Sequence, residues 1–93
     1  MPVKSTYISA DGYVTGAAAT PQKAYVIGLV IHCGATAGGF KLTDGSGAAT
    51  ALYVETPASP SQIVPLTWAP DAIVFNTCCY ADVTNCRGTV LWK

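Results

Sequence analysis

"AYVIGLVIHCGA", Ala24 to Ala35, is the longest apolar stretch of the 93-residue chain, and what it forms decides the fold. Its length is about half of what a bilayer-spanning helix needs, and its Val and Ile side chains suit a pleated surface. It reads as one long strand. On strict alternation, Tyr25, Ile27, Leu29, Ile31 and Cys33 share one face, and Val26, Gly28, Val30 and His32 share the other. Both faces are largely apolar, whereas a sandwich strand ordinarily buries one face and wets the other. The outer face is therefore expected to lie under a neighbouring subunit or a long loop.

Outward from this strand, turn signals recur every ten residues or so: Asp11-Gly12, Thr20-Pro21, Gly38-Gly39, Asp44-Gly45, Thr56-Pro57, Ala69-Pro70 and Thr84 to Gly88. Short runs rich in Val, Ile, Thr and Tyr between such signals predict an all-β chain. The expected form is a single small antiparallel β-sandwich or barrel, jelly-roll-like and built from hairpins, with one domain over residues 1–93. "TYISADGYVTG" (6–16) predicts a first hairpin, because Asp-Gly supplies the positive φ of a two-residue turn. "KLTDGSG" (41–47) predicts a second, with Thr50 to Glu55 as its return strand. "IVFNTCCYADV" (73–83) and "GTVLWK" (88–93) predict a closing pair joined by the short loop 84–87. Only "TGAAATPQ" (15–22) could make a helical turn, which Pro21 would end. Pro57, Pro60 and Pro65 make "TPASPSQIVP" a loop leading to an edge strand, since proline cannot donate a ladder hydrogen bond.

Composition limits the partners. Charged residues are only 11% of the chain and hydrophobic ones 51%, against roughly 25% charged in ordinary soluble domains. Area scaling gives a chain of this length roughly 5,100 Å² of accessible surface once folded, around a thin core. The first residues, "MPVKSTYISADGY", lack the apolar run of a signal peptide. Lys4, Lys23, Lys41, Arg87 and Lys93 balance Asp11, Asp44, Glu55, Asp71 and Asp82. The bases stand singly along the chain, with no stripe to neutralise phosphates, so neither nucleic acid nor an anionic membrane is the expected partner. Protein is the expected cover for the apolar surface.

Three of the four cysteines fall in "FNTCCYADVTNC" (75–86). In a continuous strand Cys78 and Cys79 point to opposite faces, and His32 and Cys33 likewise, so a four-ligand metal site is not expected. A redox centre would want C-x-x-C at a helix amino terminus, and neither is present. Two disulfides are arithmetically allowed: Cys78 or Cys79 could bridge to Cys86, and Cys33 could reach whichever of the pair shares its face. Without a signal peptide the expected compartment is reducing, and buried free cysteine packs as a small hydrophobe. Packing is the favoured reading, with Cys33, Cys78, Cys79 and Cys86 kept as candidate disulfide residues.

No other constellation predicts catalysis. His32 is the only histidine, no G-x-S-x-G occurs, and "DGSG" (44–47) is explained as a turn. The acids lie singly in or near turns, unlike a hydrolytic carboxylate pair, and no spacing resembles a calcium loop. Neither enzyme activity nor a cofactor is expected. Tyr7, Tyr13, Tyr25, Tyr53, Tyr80, Trp68 and Trp92 are expected mainly to pack in the core, with a sugar-stacking platform or an interface hot spot as the alternative uses; Tyr7, Tyr13 and Trp68 are the candidate interface aromatics.

Taken together, "MPVKSTYISADGYV", "AYVIGLVIHCGATAGGFKLTDGSG", "TALYVETPA" and "YADVTNCRGTVLW" resemble the small β-sandwich structural proteins of tailed bacteriophages, in particular capsid cement or decoration proteins. The shared features are a first long apolar strand, a Gly-rich hairpin, a Pro-rich connection and a closing hairpin near an aromatic residue. The resemblance spans Val3 to Trp92. It implies a virion protein, assembled in the host cytoplasm, that forms homotrimers and stabilises the shell through contacts with a major capsid protein. A tail or neck component is a second place in the same class, and a carbohydrate-binding β-sandwich module a reading outside it. The four cysteines depart from some members and raise the expectation of covalent reinforcement once lysis exposes the particle to oxidising surroundings.

Overall fold

Most of the turn signals end strands by carrying the chain from one sheet to the other, not back along the same one. The computed structural model describes residues 3–15, 23–45, 50–60, 62–67 and 72–93. The strands are β1 (Lys4–Ile8), β2 (Gly12–Tyr13), β3 (Ala24–Cys33), β4 (Gly38–Asp44), β5 (Thr50–Thr56), β6 (Ile63–Thr67), β7 (Ile73–Phe75), β8 (Cys79–Thr84) and β9 (Cys86–Trp92). One sheet has the order β1-β9-β3-β6, with β7 also paired to β3; the other has the order β2-β8-β4-β5. Every pairing is antiparallel. The chain is an all-β sandwich with an accessible surface of 4941 Å², close to the value expected from its length.

The expected pairing of the strand before Asp44-Gly45 with its return strand forms: β4 pairs β5, and Gly45 leaves β4 with φ 107°. The other two expected hairpins do not form. β1 pairs β9 while β2 pairs β8, so Asp11-Gly12 links two sheets. Asp11 instead uses its carboxylate to accept the Val83 N–H at 2.8 Å. At the other end, β8 and β9 also lie in different sheets. Asn85 alone turns the chain between them at φ 54°, its amide donating to the Ala37 carbonyl. Asparagine tolerates this left-handed conformation better than most residues. The segment 73–81 is not one strand but two, broken at Asn76 to Cys78. The expected helical turn at 15–22 lies, beyond Thr15, outside the described residues.

β3 departs from strict alternation. Its register against β9 steps from Val26↔Trp92 to Gly28↔Leu91, so Ile27 is an extra residue in a bulge. Ala24 and Val26 face the core before it, and Leu29, Ile31 and Cys33 after it. Tyr25 and Ile27 therefore join Val30 and His32 outside, correcting the two faces expected from unbroken alternation. β6 is an edge strand, as its prolines predict. Cys33 N–H donates to the Gln62 carbonyl at 3.1 Å, which makes Val30↔Pro65 a non-hydrogen-bonded pair. Pro65, which has no N–H, thus presents no donor at the open edge, where a free one would invite another strand, and no ladder bond is lost.

The core lies between the sheets: Val26, Leu29, Ile31, Val90 and Phe75 from the first, and Phe40, Leu42, Cys79 and Ala81 from the second. Trp92 closes one end; its indole N–H donates to Thr6 Oγ1, which donates to the Val14 carbonyl, both at 3.0 Å. The corner between β7 and β8 is held by Asp44, whose carboxylate accepts the backbone N–H groups of Asn76 (3.1 Å), Thr77 (2.8 Å) and Cys78 (3.3 Å). The Thr77 bond, helped by the other two and opposed by partial burial, holds its carboxyl below the usual aspartate value. Asp44→Ala is expected to destabilise the chain by about 1–2 kcal/mol at neutral pH, modest because the corner is open to solvent. Because the native pKa is lowered, the carboxylate's contribution is complete above its unfolded pKa of about 4 and fades as pH falls through the native value. Denaturant titrations of both proteins should therefore converge in acid.

Candidate functional site

Two outer faces carry the side chains that the core does not use. On the first sheet the register aligns four rows: Arg87, His32 and Ile63; Tyr7, Thr89, Val30 and Pro65; Ser5, Leu91, Gly28 and Thr67; and, across β3 and β7, Tyr25 and Val74. Tyr7 is 58%, Ile63 53% and Val74 42% exposed, and Tyr25, Ile27, Val30 and Leu91 between them are half-buried. The centre of this face is apolar. Its rim is basic: Arg87, Lys23 and Lys93 are exposed, with the Lys23 ammonium 5.7 Å from the centre of the Tyr25 ring. Lys4, on the edge strand, sits 4.8 Å over the Trp92 ring.

The second sheet presents Tyr13 and Tyr80 edge to face, with ring centres 4.9 Å apart. Beside them stand Asp82, Lys41 and Tyr53 in one row and Thr84, Gly39 and Glu55 in the next. Tyr53 lies across Gly39 so closely that a Cβ there would come within 2.5 Å of the ring. The absent side chain at Gly39 is the seat of the tyrosine. Lys41, Thr50, Tyr53, Asp82 and Thr84 line a surface cavity of about 510 Å³.

The fold sorts the charges. Lys4, Lys23, Arg87 and Lys93 belong to the first sheet or its ends, whereas Asp11, Asp44, Glu55 and Asp82 belong to the second or its loops, with Lys41 the one base among them. Asp71 lies outside the described residues. Bases that stand singly along the chain are thus gathered in space, because β1, β3 and β9, which carry or adjoin four of them, are neighbours.

Of the candidate interface aromatics, Tyr7 stands on the basic face and Tyr13 on the acidic one, so the structure does not bring them together; Trp68 lies outside the described residues. Ile63 and Val74 are not among the residues the sequence singles out, and Tyr53 enters there only as one aromatic of several. The alternation in "TALYVE" does set Tyr53 and Glu55 opposite Leu52 and Val54, and that was the available signal.

The four cysteines are free thiols. Cys33, Cys78 and Cys79 are buried. Burial, reinforced by the neighbouring Cys78 and Asp44, pushes the Cys79 thiol up to about 12, and burial with the Asp44 charge also raises Cys78. Both are protonated at neutral pH and act in packing. The bridges that the sequence allows from Cys78 or Cys79 to Cys86, or from Cys33 to either of that pair, are not formed in this structure. Cys86 instead faces Cys33 across the β3–β9 ladder. Among the described residues no three His, Cys, Asp or Glu side chains gather in a way that could hold a metal ion. No family model, curated protein or solved structure matches the chain.

Proposed function

We propose that the chain is a structural subunit of a tailed-phage particle, most simply a capsid cement protein that assembles as a homotrimer and adds contacts to a shell of major capsid protein. The observation that carries the assembly is the pair of unlike outer faces, one apolar at its centre and basic at its rim, the other acidic and tyrosine-rich. A cyclic trimer is built from heterologous contacts, each copy offering two different patches. A basic face meeting an acidic one is a contact of that heterologous kind and would orient the subunits. Four strands about 4.8 Å apart and rows about 7 Å apart give the apolar face roughly 400 Å², so each contact would bury about half of the roughly 800 Å² per partner of a standard interface, in the range of a contact that salt can weaken. The placement in a virion rests on the resemblance of strand and turn order described above.

Light scattering on the reduced protein tests the assembly. A trimer at low salt that weakens as salt screens the opposed charges is the expected result. Tyr7→Glu and Ile63→Glu, both at exposed positions, should each yield a folded monomer. A wild-type monomer at high concentration would remove the homotrimer. Failure of the trimer to sediment with undecorated shells of its phage would remove the cement role alone.

One observation favours carbohydrate binding: the exposed Tyr53 ring beside Asp82, Lys41 and Thr84 has the form of a stacking platform with polar neighbours. That reading expects retention on a polysaccharide column, lost in Tyr53→Ala, by a chain that stays monomeric.

A further inference from the structure

We propose that Cys33 and Cys86 are a disulfide-forming pair, closed across the β3–β9 ladder by exchange with a low-molecular-weight disulfide. The two residues are direct partners in the register. The kind of pair follows from two independent sets of bonds. Tyr25 and Lys93 exchange both backbone hydrogen bonds, at 2.8 and 2.9 Å; counting from there through the bulge, Gly28, Val30 and His32 form hydrogen-bonded pairs with β9, and Leu29, Ile31 and Cys33 form the alternate kind. At the far end, Cys33 donates its N–H away from β9, to Gln62. Both place Cys33 and Cys86 in a non-hydrogen-bonded pair, where Cα atoms approach to about 4.5 Å and side chains are closest. That spacing lies within the range a disulfide spans.

Access is unequal. Cys33 is 2% exposed, whereas Cys86 is half-buried. Oxidised glutathione serves as the low-molecular-weight disulfide. The Cys86 thiol donates to the Gly39 carbonyl at 3.2 Å and lies beside the Thr56 hydroxyl, a buried group without a hydrogen bond of ordinary geometry. Cys86 thiolate attacks the glutathione disulfide and releases one glutathione thiolate. Cys33 thiolate then attacks the Cys86 sulfur and expels the second. The two cysteine protons end on the two departing glutathione thiolates, and the two electrons lost by the cysteines reduce one glutathione disulfide. Burial raises the Cys86 thiol above its ordinary value, so closure is slow at neutral pH and faster in alkali. Neither step needs a second copy of the chain, so the pair stands or falls apart from the trimer.

The test is incubation of the purified, folded chain with oxidised glutathione at about pH 8.5, followed by alkylation under denaturing conditions and peptide fragmentation. The expected product has a Cys33–Cys86 bridge, with Cys78 and Cys79 alkylated. Its thermal midpoint should exceed that of the reduced chain by about 10–20 °C, because the bridge closes a loop of about fifty residues in the unfolded state. Cys33→Ser should stop at a glutathione adduct on Cys86, and Cys86→Ser should form neither adduct nor bridge. Four alkylated cysteines after prolonged incubation, a lasting adduct on the wild-type chain, or a bridge to Cys78 or Cys79 would each overturn the assignment.

Discussion

Phe40→Ala is expected to lower the stability of the sandwich by about 3–5 kcal/mol. Total stability for this length is about 5–14 kcal/mol, so the variant should be marginal at 37 °C. The size follows from position. β4 is flanked by β5 and β8, and Phe40 is fully buried between its partners Val54 and Val83. Its ring crosses the interlayer space to the opposite sheet, where a Cβ built on Gly88 would stand 3.0 Å from ring atom Cε2. Glycine on β9 leaves the hollow that the ring fills, and alanine at position 40 would leave that hollow empty on both sides. A denaturant titration should show the midpoint shift with little change in slope, the mark of lost stability in an unchanged fold.

Gly88→Val attacks the same joint from the other side and is expected to destabilise by about 3 kcal/mol. The first added carbon would lie 2.7 Å from the Val30 carbonyl oxygen as well as against the Phe40 ring. The carbonyl belongs to the central strand β3 and cannot swing aside as a side chain could. The two substitutions should not be additive, because removal of the ring relieves part of the crowding but none of the clash with Val30. The double variant is expected to be more stable than the summed losses predict by about 1–2 kcal/mol. Full additivity would mean that ring and glycine are not in contact in solution.

Strands were more legible than their partners. The alternation of "ALYVE", the proline-bearing edge strand and the apolar length of Ala24 to Cys33 are local properties, and each appears in the fold. The partition into sheets is not local. Asp11-Gly12 and Thr84 to Gly88 have turn chemistry, but a turn residue states that the chain changes direction and not which sheet receives it. The bulge at Ile27 is equally silent, since Ile27 is as apolar as its neighbours and only pairing with Trp92 and Leu91 shows that one residue is extra. That slip decides which aromatic faces outward: strict alternation groups Tyr25 with Leu29, Ile31 and Cys33, and the bulge sets it on the opposite face. The Cys33–Cys86 register depends on the same long-range pairing and could not be read from cysteine spacing, which pointed to Cys78 and Cys79. Charge segregation was hidden too, because Lys4 and Lys93 become neighbours only when β1 lies beside β9.

The order β1-β9-β3-β6 has a consequence for how the chain comes into being. β9, residues 86–92, is the last of these strands to be synthesised and yet occupies the middle of its sheet. Until it emerges from the ribosome, β1 has no partner strand and β3 shows an open hydrogen-bonding edge beside its apolar face. Folding of this sheet must await β9 and close loops that span most of residues 4–92, which places it among slow, non-local topologies. During that interval the nascent protein is exposed to edge-to-edge aggregation, and shielding by a chaperone or by low local concentration matters most just before translation reaches Cys86.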